Sequence, residues 1–291
     1  MDRRVLIRFE RSDLEKFYID GKDWDILSDG LEGFGSFENV IQTVAHGRND
    51  GGIIVSEKVA AKDRTITVKS RNPVLNEVLR KHVLSFFRPK YLYKVSLTYM
   101  GVTRWFEGKI YKFDLDCKNI YRPMTMMITF LCPDPYLRSK DNFGKNIAEV
   151  VGMCGFPYLC NVSAGCVQGV TAGRYHFAKK VVLENDGDVE AYCKVVFTAN
   201  GEVKNPKLMM NGYFVRVNDT MEQGDVIIMD FTNSPPTIKK NGQNYIGHCD
   251  RTSAFDEMML PVGGATVSFD AESGDNLLQV SIYYNKLYAA M

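Results

Sequence analysis

The chain has 291 residues, of which 45% are hydrophobic and 24% charged, and its formal net charge is +1. That balance excludes a disordered tail, a collagen-like fibre and a coiled-coil rod, and it argues against a bulk nucleic-acid binder. The charge is unevenly spread. Residues 1–140 carry 24 Lys/Arg against 18 Asp/Glu, whereas residues 141–291 carry 12 against 17. Within the first half, residues 1–40 hold 6 basic and 10 acidic side chains, and residues 64–122 hold 13 and 4. Neighbouring segments of opposite sign point to an intramolecular pairing or to two faces that meet between subunits.

Seventeen Phe and fifteen Tyr, with few long Ala/Glu/Leu runs, tilt the chain toward sheet. Residues 5–9 open with a short apolar run. Residues 10–40 read as acidic and turn-rich, with Asp20-Gly21, Asp29-Gly30, Gly33 and Gly35 as breakers. Residues 37–46 and 52–59 are strand-like, separated by the turn signal His46-Gly47-Arg48-Asn49-Asp50-Gly51-Gly52. Residues 64–70 alternate polar and apolar, as a half-buried strand does.

One helix is expected next. Asn72 is a good N-cap and Pro73 suits the first helical position. Val74, Leu75, Val78, Leu79, Val83, Phe86 and Phe87 fall at helical spacing, and Pro89 ends the pattern after about four turns. Residues 91–99 and 103–113 flank Met100-Gly101 as a hairpin, and residues 121–132 form a further strand. That strand runs into Pro133-Asp134-Pro135-Tyr136, where two prolines forbid ladder bonds.

These signals divide the chain into a domain over 1–136, a linker over 137–150 and a second domain over 151–291. The second domain has no convincing helix. Its strand candidates lie at 166–170, 174–184, 190–198, 206–218, 225–231, 235–239, 244–249, 265–270 and 277–284. Turn signals such as Asp186-Gly187, Asn211-Gly212 and Asn241-Gly242 separate them, which argues for a β-sandwich.

Catalytic chemistry finds no foothold. The seven cysteines include no C-x2-C pair, and reduced, buried thiols are the expected state. The four histidines form no metal-ligand pair, and His248 beside Cys249 on a strand would point to the opposite face. A G-x-S-x-G elbow, a P-loop and a G-x-G-x-x-G are all missing. Glu184, Asp186, Asp188 and Glu190 surround a turn and read as solvated rather than calcium-binding. No cofactor, metal or enzymatic activity is expected. No apolar stretch approaches the ~20 residues that cross a bilayer, and the N-terminus lacks an apolar signal core. Synthesis in the cytosol and no membrane partner are therefore expected. The basic stretch between Lys69 and Lys94 is better suited to meeting an acidic neighbour than to nucleic acid.

Taken together, the His46–Gly52 turn, the alternating RTITVKS, the helix NPVLNEVLRKHVLSFF and the ending FLCPDPY resemble the N-terminal domain of the siphophage distal tail protein (Dit) family. Gly47, Arg48, Gly51, Pro133, Asp134, Pro135 and Tyr136 carry that part of the resemblance. LENDGDVEAYCKVVF, GDVIIMDFTNSPPTIKKNG and SAFDEMMLPVGGATVSF are similar to segments of the family's second half. The resemblance implies a mainly β protein. Its N-terminal, β-sandwich-like ring domain would have one α-helix and a β-hairpin, followed by a C-terminal galectin-like β-sandwich.

It further implies a structural virion protein of a phage or prophage tail tip, made in the host cytoplasm. Such a protein assembles as a homo-hexamer and joins the tail tube protein to a tail-associated tip protein and a receptor-binding protein, with DNA only as passing cargo. A closing ring needs two different surfaces that meet head to tail, and Arg80, Lys81, Arg88 and Lys90 are candidates for one of them. The alternative is a carbohydrate-binding adhesion module acting through the second sandwich. Against it, the galectin motif His-x-Asn-Pro-Arg is missing, and both Trp24 and Trp105 lie in the first half.

Overall fold

The computed structural model describes the chain except residues 1–4, 48–49, 117–120, 141–142, 147, 153–172, 178 and 233–234. For the rest of 143–152 and for 173–177 it describes the backbone alone. Two compact units result: residues 1–140 with 287–291, and residues 141–286. The expected boundaries therefore move. Leu137–Ser139 pairs with strands on both sides within the first unit, and one of those partners is Leu287–Tyr288 at the chain end. Backbone pairing across almost the whole length of the chain decides this, and local composition cannot report it. The expected linker also holds strands Phe143–Asn146 and Ala148–Gly152.

The first unit comprises β1 (Leu6–Arg11), β2 (Lys16–Ile19), β3 (Trp24–Glu32), β4 (Asn39–Ala45), β5 (Gly52–Val59) and β6 (Lys62–Ser70). After these come α1 (Asn76–Phe86), β7 (Leu92–Tyr99), β8 (Val102–Leu115), β9 (Thr125–Cys132) and β10 (Leu137–Ser139). The main sheet runs β2-β1-β7-β8-β9-β6-β3, so β2 and β3 are its two ends. Strict alternation along β9, with Met126, Ile128 and Phe130 buried, places one face on the core. Phe9, Phe17, Phe86, Phe87, Tyr93, Phe106 and Phe130 fill it, with ring centroids 4.9–6.2 Å apart. Edge-to-face pairs predominate, as the ring quadrupole favours.

Residues 10–40 are more ordered than their turn signals imply, because β2 and β3 lie there. Gly30 does not break β3, which ends at Glu32, just before Gly33. A Cβ on Gly30 would lie 2.4 Å from the Thr67 carbonyl oxygen, and Gly33 has φ +80° beside the Asp63 carbonyl. These glycines permit close backbone approach rather than a turn.

The helix is shorter than the sequence pattern implies. Asn72 does cap, its side chain accepting from Val74 N at 3.0 Å, but Pro73–Leu75 form a 3-10 turn rather than the first turn of the α-helix. That tighter turn puts Val74 and Leu75 out of step with the α-helix after it. Leu79, Val83 and Phe86 form the buried stripe, while Val74 is 87% and Val78 66% exposed.

The second unit is a β-sandwich. One sheet runs Phe143–Asn146, Leu278–Tyr284, Ala191–Ala199, Val226–Asp230, Thr237–Lys240, Gln243–Asn244, with Met259–Leu260 also paired to Ala191–Ala199. The other runs Lys180–Leu183, Ala265–Asp270, Lys207–Met210, Tyr213–Arg216. Val195, Phe197, Val280 and Ile282 of the first meet Leu208, Val215, Val267 and Phe269 of the second in one core. Two smaller pairs accompany them, Ala148–Gly152 with Gly173–Phe177 and Val203–Lys204 with Thr220–Met221. The candidate at 206–218 is a hairpin turning at Asn211-Gly212. Half of the candidate at 244–249 is instead a 3-10 turn, Ile246–His248. The candidate at 166–170 lies outside the described residues.

Candidate assembly surfaces

Among the described residues β4 and β5 pair only with each other, and no residue of β4 is buried. The ribbon is held internally by its ladder and by side-chain bonds between Ser56 and Gln42 and between Asn39 and Glu57, each 2.9 Å. Ile41, Val44, Ile53, Ile54 and Val55 stand about half exposed or more. A two-stranded hairpin without a covered face is marginal alone, and clustered exposed aliphatics mark an interaction surface. Gly51, at φ +99°, helps close the ribbon's turn, where His46 N donates to Gly51 O at 3.2 Å. Gly47 lies in the same turn, and Arg48 lies outside the described residues.

The Pro133–Tyr136 segment is fixed from several sides. Asp134 accepts from Tyr136 N at 3.1 Å and pairs with Arg138 at 2.9 Å. Arg64 is fully buried, and its Nη2 donates to the Pro135 carbonyl at 2.5 Å. Its guanidinium also lies 4.7 Å from the Phe106 ring centroid. Burial lowers the Arg64 pKa and raises that of the adjacent Cys132 thiol. Trp105 Nε1 donates to Ser139 O at 2.7 Å, and Lys94 and Arg138 approach its ring at 3.9 and 5.1 Å. The chain end closes this corner. Arg104 lies 3.8 Å from the Tyr288 ring centroid and Met291 N donates to Phe34 O at 2.9 Å.

Arg80, Lys81, Arg88 and Lys90 are all exposed. Lys81 pairs with Glu77 at 2.8 Å along the helix. Lys90 takes a left-handed backbone, φ 74°, in the turn leading to β7. Sequence reasoning missed the residue that holds this helix in place. Arg11 is 3% exposed, and its Nη1 donates to Phe86 O at 2.7 Å and Ser85 O at 3.2 Å. Its other nitrogens bind Asp13 and Glu15 at 2.6 Å. A cation at a helix C-terminus satisfies open carbonyls and complements the helix dipole. The only signal in the sequence was the Arg-x-Asp-x-Glu spacing at the end of β1, which is common on strands.

A cleft of about 770 Å³ lies beside Ile19, Trp24 and Ile26. Its charged groups are occupied with one another. Arg71 Nε binds both oxygens of Asp25 at 2.8 Å, and Asp20 accepts from Lys22 N at 3.1 Å, which lowers its pKa.

In the second unit, burial pushes Cys193 up to about 12 and Cys249 up to about 11, so neither is a ready thiolate. His248 stacks on Tyr245 at 3.9 Å rather than engaging Cys249. Asp186 pairs with Lys286. Asp219 accepts from Lys240 Nζ at 2.7 Å and Tyr245 OH at 2.5 Å. Burial pushes its pKa up, but these hydrogen bonds outweigh it and hold the group down at about 2. A depressed carboxylate stabilises the fold above its unfolded value, near 3.8, and loses that contribution as pH falls toward about 2. Asp219→Asn is therefore expected to cost the second unit about 1–2 kcal/mol at neutral pH and to flatten its stability between pH 5 and 2. Urea melts across that range check it.

Comparison with known proteins agrees with this architecture. Residues 186–288 match the family described as siphovirus-type tail component, C-terminal domain, which bears out the resemblance read from the residues. No curated protein matches the sequence. Among solved structures, the chain is similar to the SPP1 Dit (gp 19.1) protein, titled a paradigm of the hub adsorption apparatus in phages infecting Gram-positive hosts. The identity is 10% and the TM-score 0.63, over 97% of this chain and 98% of that one. It is also similar to a chain of the phage P2 baseplate in its activated conformation with Ca, at 11% identity and TM-score 0.52 over the full length of both. The same baseplate with Sr gives 10% and 0.51, over 99% of each chain. At such identities the likeness concerns the fold.

Proposed function

We propose that this chain, whose residues 186–288 carry a siphovirus-type tail component C-terminal domain, is a structural protein of a phage tail tip that closes into a homo-hexameric ring. The observation that carries the ring is the uncovered β4–β5 ribbon, in a fold alike from end to end to a tail hub protein. Each exposed Val or Ile that becomes fully buried in an assembly contributes ~1.5–3 kcal/mol, against the entropic cost of association. A ribbon of this kind is stabilised by a neighbour rather than by its own unit.

On this reading the ring joins the tail tube protein to a tail-associated tip protein and a receptor-binding protein, and DNA passes through it as cargo. The protein works by geometry rather than catalysis. The first unit forms the ring, and the second is a galectin-like sandwich belonging to the same tip. Light scattering on the full chain, followed by negative-stain imaging of the same peak, tests the proposal. A mass equal to a hexamer or a multiple of it, with a central hole, is expected. A monomer at every concentration tested would overturn the ring.

A further inference from the structure

β3 is an end of the main sheet and, among the described residues, pairs only with β6. Its register jumps between Ile26↔Val68 and Leu31↔Ile66, so the four residues Leu27–Gly30 face Thr67 alone in a bulge, with Gly30 still against the Thr67 carbonyl. A bulged edge is poorly suited to adding another strand and instead presents side chains. Asp29 and Glu32 stand on this edge and Glu38 follows six residues past its end, all exposed, together with exposed Leu27 and Phe37. Among the described residues none of these three carboxylates has an ion-pair partner.

The outer face of α1 is complementary. Val78 and Leu84 are 66% and 46% exposed beside Arg80 and Lys81, Arg88 follows just past the helix end, and among the described residues Arg80 and Arg88 have no ion-pair partner. The C-terminal half of the helix sits over the other end of the sheet. Phe17 of β2 lies 5.1 Å from His82 and 5.4 Å from Phe86, and Arg11 of β1 binds the last helical carbonyls. One sheet thus carries an acidic, apolar edge at one end and a basic, apolar helix face at the other. Two different surfaces of that kind repeat head to tail and can close.

We propose that the outer face of α1 docks on the β3 edge of a second copy of this chain, with Arg80, Lys81 and Arg88 opposite Asp29, Glu32 and Glu38. This rests on the ring reading and names which faces meet. Charge complementarity selects the partner, and the aliphatic and Phe37 side chains supply the buried area.

The test swaps the charges in the full chain. One variant carries Arg80→Glu, Lys81→Glu and Arg88→Glu, a second carries Asp29→Lys, Glu32→Lys and Glu38→Lys, and a third carries all six. Light scattering across a concentration and salt series reads assembly, and circular dichroism checks folding. Each triple variant should need ~10-fold or more higher concentration to assemble, since opposed like charges cost several kcal/mol. The variant with all six changes should recover. As an independent check, Leu27→Cys with Leu84→Cys in one chain should give a disulfide-linked ladder on oxidation that neither single variant gives. If the wild-type chain forms a ring and both triple variants form it equally well, or the paired cysteines yield no ladder, this docking is overturned and the ring reading stands. A wild-type chain that never assembles overturns both.

Discussion

Phe130→Ala is expected to destabilise the first unit by ~3–5 kcal/mol. Phe130 has no exposed surface and lies 6.0 Å from the rings of Phe9 and Phe106 and 5.9 Å from Tyr93. It sits on β9, between β8 and β6, in the middle of the sheet. Truncation removes the ring's transfer energy and leaves a cavity that flanking strands, pinned by their ladders, cannot close. Calorimetry should show the transition of residues 1–140 falling by about 10 °C or more. The transition of residues 141–286 should hardly move, because their core is made of other residues. A loss under about 1 kcal/mol would mean that the aromatic core repacks.

Arg11→Ala is expected to cost ~2–4 kcal/mol, more than a surface ion pair would suggest. The carboxylates it binds are well exposed and would simply return to water. The Phe86 carbonyl would not, since it is buried where the end of α1 meets β1 and β2, and it would keep only the 3.2 Å bond from the Tyr93 hydroxyl. Burial opposes the Arg11 charge, but the hydrogen bond from its guanidinium to Asp13 and the charges of Asp13 and Glu15 raise its pKa. The side chain therefore keeps its proton and acts as a permanent C-cap. Arg11→Lys should recover only part of the loss, because one ammonium cannot span two carbonyls and two carboxylates as the planar fork does. Equilibrium unfolding of the three proteins checks the order wild type, Lys, Ala. If the helix also supplies an assembly face, Arg11→Ala should weaken assembly at temperatures where the rest of the unit remains folded.

Much of the fold was legible in the residues. The period-two runs at 64–70, 92–99 and 125–132 require half-buried strands whatever they pair with. Asn-Gly turns at 211–212 and 241–242 form hairpin turns with positive φ at both residues, a geometry that Asn and Gly tolerate. The family signal lay in the order of such pieces, and it agrees with the match over residues 186–288.

Other features depend on contacts between residues far apart in the chain. Whether Gly30 breaks a strand or admits a neighbour's carbonyl depends on β6 lying beside it. Whether Val74 and Val78 pack or face outward depends on a 3-10 turn and on where the helix lands, not on their hydrophobicity. Arg11 becomes a helix cap only because β1 passes the end of α1, 75 residues later in sequence. The chain end joins the first unit through two residues of ladder and a few hydrogen bonds, too short a segment to carry a period. The sequence by itself determined the strands with strict alternation, the Asn-Gly turns and how charge is shared along the chain, because propensity, periodicity and turn chemistry act over a few residues. Only the tertiary structure decided which apolar side chains remain uncovered, which charges remain unpaired and which edges remain open, because each depends on what the rest of the chain brings alongside.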